Sequence, residues 1–168
     1  EDSIKKERNP AFNPLLSDVM SYYASVVSPR MDKINREVYA SAWLSFGLNV
    51  GDIYIKDKKG DRLLVRESTF NDMRFRYPKL SPDGEHVVFE GKRGLITSIF
   101  VVDATGDNLK RLTEGFGRDV RYDDEKLYWI NEKTIGFDRT TSSTEYKFRD
   151  QIAPYQINID GTGLRERK

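Results

Sequence analysis

The sequence predicts an all-β chain of short antiparallel strands, and three observations lead to this prediction. From residue 28 onwards, short apolar runs alternate with turn residues such as Pro82-Asp83-Gly84. A hairpin pattern and a second turn-and-strand pattern each recur along the chain at intervals of about fifty residues. Apolar residues at helical spacing predict a short helix over residues 14–24. The β-branched and aromatic run YYASVV, which overlaps the end of this segment, favours a strand as the alternative to the helix.

The first repeated element is a hairpin. The segment GDIYIKDKKGDRLLV (51–65) matches SIFVVDATGDNLKRL (98–112), and YQINIDGTGLRER (155–167) repeats it with Asn158 in place of an aspartate. Each copy has an apolar alternating run, then Asp or Asn, then a turn glycine, which is Gly60, Gly106 or Gly161. The interval before the third glycine is the longer one, because a Ser/Thr-rich loop over 137–156 is longer than its counterparts.

The second repeated element precedes each hairpin and consists of a turn and an apolar strand. Its clearest copy is YPKLSPDGEHVVFEGKR (77–93), in which Pro82, Asp83 and Gly84 favour a tight turn and the strand is expected to end at Gly91. Weaker copies are WINEKTIGFDR (129–139), with Asn131-Glu132 as the turn, and SPRMDKINREVYASAW (28–43). Aligning the copies on Ala40, Phe89 and Phe137 gives two nearly equal intervals, so both elements return the same repeat unit.

Together the two elements make a unit of four antiparallel strands, which is the plan of a propeller blade. Such a small twisted sheet cannot bury both faces alone and needs a neighbouring sheet on each side. The sequence therefore predicts a partial β-propeller of about three four-stranded blades. The predicted organisation is a leader with a short helix over 1–27 and blades over about 28–66, 77–113 and 120–168.

The segment LSPDGEHVVFEGKRGLITSIFVVDATGDNLKRLT resembles one TolB-type, or WD40-like, β-propeller repeat, and the match extends more weakly over 129–167 and 28–66. The resemblance implies antiparallel blades around a central channel. In this family such propellers usually serve as protein-binding platforms of the bacterial envelope, as in the Tol-Pal system. Related propellers form the gating domain of prolyl-oligopeptidase-type serine peptidases.

The sequence departs from the family pattern in its number of blades. Closed propellers typically carry four to eight blades, whereas this sequence supplies about three. Three blades leave two open flanks, which favour association. We therefore expect additional blades, from the same chain, from another subunit or from a copy of the chain itself, to complete the ring.

Composition excludes several functional classes. Lys and Arg number 28 and Asp and Glu 27, so the net charge of +1 gives no broad attraction to nucleic acid. No apolar run approaches the length of a membrane-spanning helix. Without cysteine and with a single histidine, His86, the chain has no cysteine ligands or multi-histidine site for a metal. We expect no cofactor and no metal.

Candidate catalytic groups are better explained as turn residues. Ser81, Asp83 and His86 lie on one turn, where their side chains would diverge rather than form a triad. The Asp-Gly hairpin turns have too few oxygen ligands in the right places for calcium. Asp123, Asp124 and Glu125 (123–125) read as a solvated acidic loop rather than a glycosidase pair. We expect no catalytic residues in this chain.

Two arginine- and tyrosine-rich segments are the candidate binding site. They precede the second and third blades, where we expect the chain to cross between blades at the channel mouth, and these residue types are enriched at interface hot spots. The candidate partner-binding residues are Arg74, Arg76, Tyr77, Arg118, Arg121 and Tyr122. Alternatively, the aromatic rings pack between blades and the arginines pair with Asp72, Asp119 and Asp123.

The sequence thus predicts a non-enzymatic protein-binding or scaffolding propeller of the bacterial envelope, in a periplasmic or other extracytoplasmic compartment. A cytoplasmic location is the alternative for a cysteine-free chain. The alternative functions are the gating domain of a prolyl-oligopeptidase-type peptidase and a structural subunit of an envelope or filament machine.

Overall fold

A computed structural model describes residues 36–41, 50–70, 72–144 and 150–168. The predicted leader and its helix over 14–24 lie outside these residues. Within them the chain is all-β apart from one turn of 3-10 helix at Glu67–Thr69. No helix in this described part is long and apolar enough to cross a membrane.

The first sheet contains strands β1 (Glu37–Ala40), β2 (Ile53–Asp57) and β3 (Gly60–Val65), paired antiparallel in that order. Alternation of buried and half-exposed residues along β1 and β2 gives the sheet one apolar face, which includes Val38 and Ile55.

The second sheet has the order β4-β5-β6-β7, with strands β4 (Arg74–Leu80), β5 (His86–Arg93), β6 (Ile96–Asp103) and β7 (Lys110–Arg111). The expected end of β5 at Gly91 is wrong. The pairing with β6 continues to Arg93, and the turn is made by Gly94, with φ of 61°, and Leu95.

The third sheet has the order β12-β11-β10-β9-β8. Its strands are β8 (Phe116–Gly117), β9 (Val120–Trp129), β10 (Thr134–Ser143), β11 (Gln151–Asn158) and β12 (Arg165–Glu166). The described part of the long loop predicted over 137–156 extends the hairpin formed by β10 and β11, which pair from Thr134–Asn158 to Thr141–Gln151. The described strands thus number three, four and five per sheet, so four strands are present only in the second.

The predicted turn chemistry is confirmed. Gly60, Gly106 and Gly161 have φ of 113°, 96° and 92°, a region that side chains with a Cβ avoid. In the Ser81–Gly84 turn, the Gly84 N–H donates to the Ser81 carbonyl at 2.9 Å, and the Asp83 carboxylate accepts the Glu85 N–H at 3.0 Å. These local bonds place successive strands side by side without long connections.

Both faces of the second sheet are buried, each against a neighbouring sheet. A cluster of Phe70, Phe75, Phe89 and Phe100 packs on the side of the first sheet, with ring centroids 4.8 to 5.8 Å apart. On the other side, Val88, Ile99 and Val101 meet side chains of the third sheet, including Leu127 and Phe137. The three sheets are therefore stacked face to face, as in part of a propeller.

The second and third sheets share an irregularity at equivalent positions of strands β4 and β9. Tyr77 in β4 and Lys126 in β9 have φ of 52° and 59°. Each lies where the pairing with the next strand shifts register, at a β-bulge. The interval between these two residues equals the one between Ala40 and Phe89 in the repeat. The bulge is therefore part of the repeated unit.

Replacing Phe89 with Ala should lower the free energy of unfolding by about 3–5 kcal/mol, because the ring is fully buried between two other rings. Urea denaturation measures this difference. The control Leu95→Ala removes a side chain that is 67% exposed and should change stability by less than about 0.5 kcal/mol. Equal losses in the two variants would contradict the assigned core.

Candidate functional site

Strand β4 of the second sheet and strand β9 of the third run in the same direction and are joined by side chains. Arg76 Nη2 lies 2.5 Å from Glu125 Oε1, and further along both strands Trp129 Nε1 donates to the Lys79 carbonyl at 3.2 Å. The beginnings of β4 and β9 therefore lie at the same end of the stacked sheets. We call this end the arginine rim, formed by residues 72–74, 93–96, 114–121 and 150–152.

The predicted crossovers at this end are not loops, which corrects the sequence interpretation. Arg74, Arg76 and Tyr77 belong to β4, and Arg121 and Tyr122 belong to β9. Arg118 lies in the tight turn between β8 and β9. Only a short stretch before each strand, around Asp72 and Asp119 with φ of 58° and 59°, makes the change of direction.

The structure divides the six predicted residues by exposure. Arg74 and Arg118 are exposed on the rim, and the Arg74 side chain, 74% exposed, reaches Glu67 at 2.5 Å. The other four are half-buried. The Arg76 guanidinium stacks on the Tyr77 ring at 5.2 Å, so these two neighbours contact one another. The rim is therefore a surface with exposed cations and a packed polar layer behind it.

The rim also carries the three most exposed large apolar side chains of the described residues. They are Ile152 at 71%, Leu95 at 67% and Phe116 at 58%. Leu95 lies in the turn between β5 and β6, Phe116 lies in β8, and Ile152 lies near the start of β11. Gly115 packs so closely against Ile96 that it has no room for a Cβ, so the turns that carry Leu95 and Phe116 are neighbours. Exposed apolar and cationic groups thus share one end of the molecule.

Behind the rim, a network of charged side chains joins the second and third sheets. Arg76 Nε donates to Glu90 Oε2 at 2.8 Å, and Lys92 Nζ lies 3.1 Å from Glu125 Oε1, the oxygen that Arg76 Nη2 also reaches. Glu90 is 1% exposed, and its second oxygen accepts the backbone N–H of Lys126 at 2.8 Å. Both oxygens of this buried carboxylate are therefore hydrogen-bonded.

Burial and ion pairing shift the pKa values of three groups in this network. Burial raises the pKa of Glu90, and the Arg76 charge and the Lys126 N–H offset only part of that rise. For Glu125, burial acts in the same direction, but Lys92 and Arg76 outweigh it and hold the pKa below its usual value. For Arg76, burial disfavours the charged form, but Glu90 and Glu125 outweigh it and raise the guanidinium pKa. The opposite charges of the network therefore stabilise one another, whereas the Glu125 charge adds to the rise in the pKa of Glu90.

A second buried pair lies between Asp124 of β9 and Arg139 of β10. Arg139 Nε and Nη2 donate to the two Asp124 oxygens at 2.7 and 2.8 Å, and the aspartate is 0% exposed. The guanidinium also lies 4.5 Å from the Tyr122 ring centroid and 5.0 Å from that of Tyr155. The prediction of a solvated acidic loop at 123–125 is therefore wrong, because these residues are in a strand and Asp124 is a fully buried partner of an arginine.

The alternative pairing with Asp72, Asp119 and Asp123 is wrong for Arg74 and Arg76. Arg74 pairs with Glu67, and Arg76 pairs with Glu90 and Glu125. Sequence reasoning missed Glu90 and Arg139. The available signal was position: Glu90 follows the apolar run VVF directly and Arg139 lies two residues after Phe137, so both charges belong to strands predicted to be buried.

Ser81, Asp83 and His86 form a turn rather than a triad. The Ser81 hydroxyl donates to Asp83 Oδ1 at 2.5 Å and accepts the His86 backbone N–H at 2.9 Å. The imidazole instead faces Asp103, with Nε2 at 3.6 Å. Among the residues with described positions, no group of three His, Cys, Asp or Glu side chains is placed to hold a metal ion.

No protein-family model matches the chain. No curated protein matches it either. The solved structures do include similar folds, and each covers most of this chain. A protein described as a putative TolB from Agrobacterium tumefaciens has a TM-score of 0.53 at 19% identity, over 79% of this chain and 44% of that one.

Two further solved structures have lower scores. TolB from Acinetobacter baumannii has a TM-score of 0.49 at 18% identity, over 83% of this chain and 30% of that one. The isopeptidase AtxE2 has 0.49 at 11% identity, over 72% and 25%. The chain spans less than half the length of each of these proteins. The first similarity shows a TolB-like β-propeller fold for the described sheets, and the number of blades stays a prediction.

Replacing Arg139 with Ala should destabilise the protein by about 3–5 kcal/mol, because it leaves the fully buried Asp124 charge without its partner. The measurement is the free energy of unfolding at pH 7. The control Glu114→Gln removes an exposed ion pair with Arg111 at 3.8 Å and should cost less than about 0.5 kcal/mol. If Arg139→Ala were as stable as the control, the buried pair would be unimportant for folding.

Replacing Glu125 with Gln should lower stability by about 1 kcal/mol at pH 7, a value reduced for the partial exposure of the carboxylate. Since the folded-state pKa of Glu125 lies below its ordinary 4.5, its stabilisation is present above that pH and is lost as the pH falls through the folded value.

The difference in unfolding free energy between the unmodified protein and Glu125→Gln should therefore shrink in acid, as followed by denaturation at a series of pH values. Glu85→Gln, which changes an exposed glutamate outside the network, serves as the control. A difference that grows as the pH falls would reverse the assigned sign.

Proposed function

We propose that the chain is a non-catalytic, protein-binding or scaffolding part of a β-propeller in the bacterial cell envelope. The observation that carries this proposal is the concentration of exposed apolar and arginine side chains at one end of the sheets. Leu95, Phe116 and Ile152 are there with Arg74 and Arg118. Large apolar side chains flanked by arginines are typical of protein interfaces.

The packing behind the rim supports this use of the surface. Arg76 and Tyr122 are engaged in contacts that join strands and sheets, so the exposed turns rest on a rigid base. A surface that is ordered before binding loses less entropy on association. In this proposal Arg74, Arg118 and Arg121 contact the partner, whereas Arg76, Tyr77 and Tyr122 hold the strands that carry them.

The proposal includes the blade organisation of the chain and its cellular compartment. We propose blades over about 28–66, 77–113 and 120–168, a division supported by the three described sheets, although β4 begins at Arg74 and β8 lies at Phe116–Gly117, ahead of the proposed bounds. The TolB-like fold supports a periplasmic or other extracytoplasmic location by analogy of fold. No feature of the described residues favours the peptidase or filament alternatives, and we do not extend the proposal to them.

Site-specific photocrosslinking in the producing bacterium tests the proposal. A photoreactive residue at Phe116, on the arginine rim, should give discrete protein adducts, whereas the same residue at Lys58, in the opposite turn between β2 and β3, should not. Arg118→Glu should reduce the adduct yield about tenfold, as expected when an interface arginine contributes about 1.4 kcal/mol.

Lys58→Glu is the matched charge reversal on the opposite end and should leave the yield at Phe116 unchanged. Adducts of equal yield from both ends, or none from the rim, would contradict a partner-binding role for this surface. Circular dichroism of both variants establishes that the fold is retained.

A further inference from the structure

Contacts from the outer strand of one sheet to the hairpin of the next occur twice among the described residues, from Arg62, two residues after Gly60, and from Lys110, four residues after Gly106. Arg62 of β3 donates to the carbonyls of Ala104 and Thr105 at 2.7 and 2.9 Å. Lys110 of β7 donates to the carbonyl of Asp160. Thr105 and Asp160 each lie two residues after the Asp or Asn that begins a repeated hairpin. In both cases, a cation on the outer strand of one sheet binds the hairpin carbonyls of the next.

A second contact links the inner part of the second and third sheets. The Glu90 carboxylate on β5 accepts the N–H of Lys126, the bulged residue in strand β9 of the following sheet. A bulge leaves a backbone group without a partner in its own ladder, so a carboxylate from the neighbouring sheet can bind it. This carboxylate and the outer cation together fix the position of one sheet on the previous one.

The third sheet also carries a cation on its outer strand and a carboxylate on its inner part. Aligning the repeats on their turn glycines places Arg165 of β12 at the position of Lys110. Aligning them on Phe89 and Phe137 places Asp138 of β10 at the position of Glu90. Within the described residues neither group reaches a further sheet. The Asp138 side chain is 39% exposed and lies 3.3 Å from Lys126 Nζ, and Arg165 is exposed beside Gln156.

These groups lie on or beside the outward face of the third sheet. Ile135 and Phe137 point to the second sheet, so the alternating residues of β10 point away from it. The Tyr128 ring covers Gly136 on this outward face and leaves no room there for a Cβ, and Ile152 pairs with Thr140. Tyr128 is 38% exposed and Ile152 71%, so the face retains exposed apolar area.

The first sheet offers the complementary hairpin. Asp57 and Gly60 correspond to Asp103 and Gly106, which places Lys59 at the position of Thr105. Lys58 and Lys59 are exposed, and no cation of another sheet reaches the carbonyl of Lys59 in the part of the chain that the structure describes. One chain therefore carries both halves of the contact, at opposite ends of the row of three described sheets.

We propose that the outward face of the third sheet binds the first sheet of a second copy of this chain. Arg165 of one copy donates to the Lys59 carbonyl of the other, and the Asp138 carboxylate faces the same contact. Two such contacts related by a two-fold axis close the pair into one ring, which covers the outer faces that the described sheets leave open. This surface shares Ile152 with the arginine rim but has its own contact groups, Arg165 and Asp138, so the inference does not depend on the proposed function.

Cross-linking tests the geometry, since the chain contains no cysteine of its own. The double variant Lys59→Cys with Arg165→Cys, treated with a short bismaleimide, should give a covalent dimer on a denaturing gel. Lys110→Cys with Asp160→Cys reports the equivalent contact within one chain and should cross-link as a monomer. Leu95→Cys with Arg165→Cys should give no dimer. A monomer from the first pair, under conditions in which the second pair reacts, would overturn the proposal.

Sedimentation velocity of the cysteine-free protein tests the association itself. It should show a closed dimer, which Arg165→Glu weakens at least about tenfold in Kd, since it replaces a hydrogen-bonded cation with a repelled anion. Arg165→Lys is the conservative control and should retain the dimer, because lysine makes this contact at position 110. A monomer, an open series of larger species, or a dimer unaffected by Arg165→Glu would each overturn the proposal.

Discussion

The carboxylate of Glu90 is the group on which the packing of the second and third sheets depends. It is 1% exposed, and it binds both the Arg76 guanidinium of its own sheet and the bulged Lys126 N–H of the next. A buried charge of this kind costs several kcal/mol unless its lone pairs are satisfied. Because one of its partners belongs to the neighbouring sheet, the position of the third sheet is fixed by hydrogen bonding as well as by apolar contact.

This arrangement separates the two roles of the arginine- and tyrosine-rich segments. Side chains that point between the sheets, such as Arg76 and Arg139, are paired with Glu90, Glu125 and Asp124. Side chains at the starts of the strands remain on the surface with the exposed apolar groups of the arginine rim. The same strands thus supply paired side chains between the sheets and, at their starts, a candidate binding surface. A substitution tests binding only when it changes an exposed side chain of the arginine rim.

The repeated turns and apolar strands could be predicted from the sequence because they depend on local chemistry. Gly106 and the Pro82-Asp83-Gly84 turn are predictable from backbone preference, and Val88 and Phe89 from the burial pattern. The charged network behind the rim could not be predicted in the same way. Its partners are far apart in sequence, as Arg76 is from Glu125, and acidic residues in a row are usually solvated. Asp124 is buried because Arg139 arrives from the facing strand, a fact that requires the register of β9 and β10.

The exchange rate of the Lys126 amide proton, followed by NMR in deuterated buffer, tests this account most directly. If the amide is bound to the Glu90 carboxylate between two packed sheets, it should be protected to the same degree as the amides of β5, and Glu90→Gln should reduce that protection. Exchange of the Lys126 amide as fast as that of the exposed turn residue Lys58 would show that the two sheets are not joined in this way.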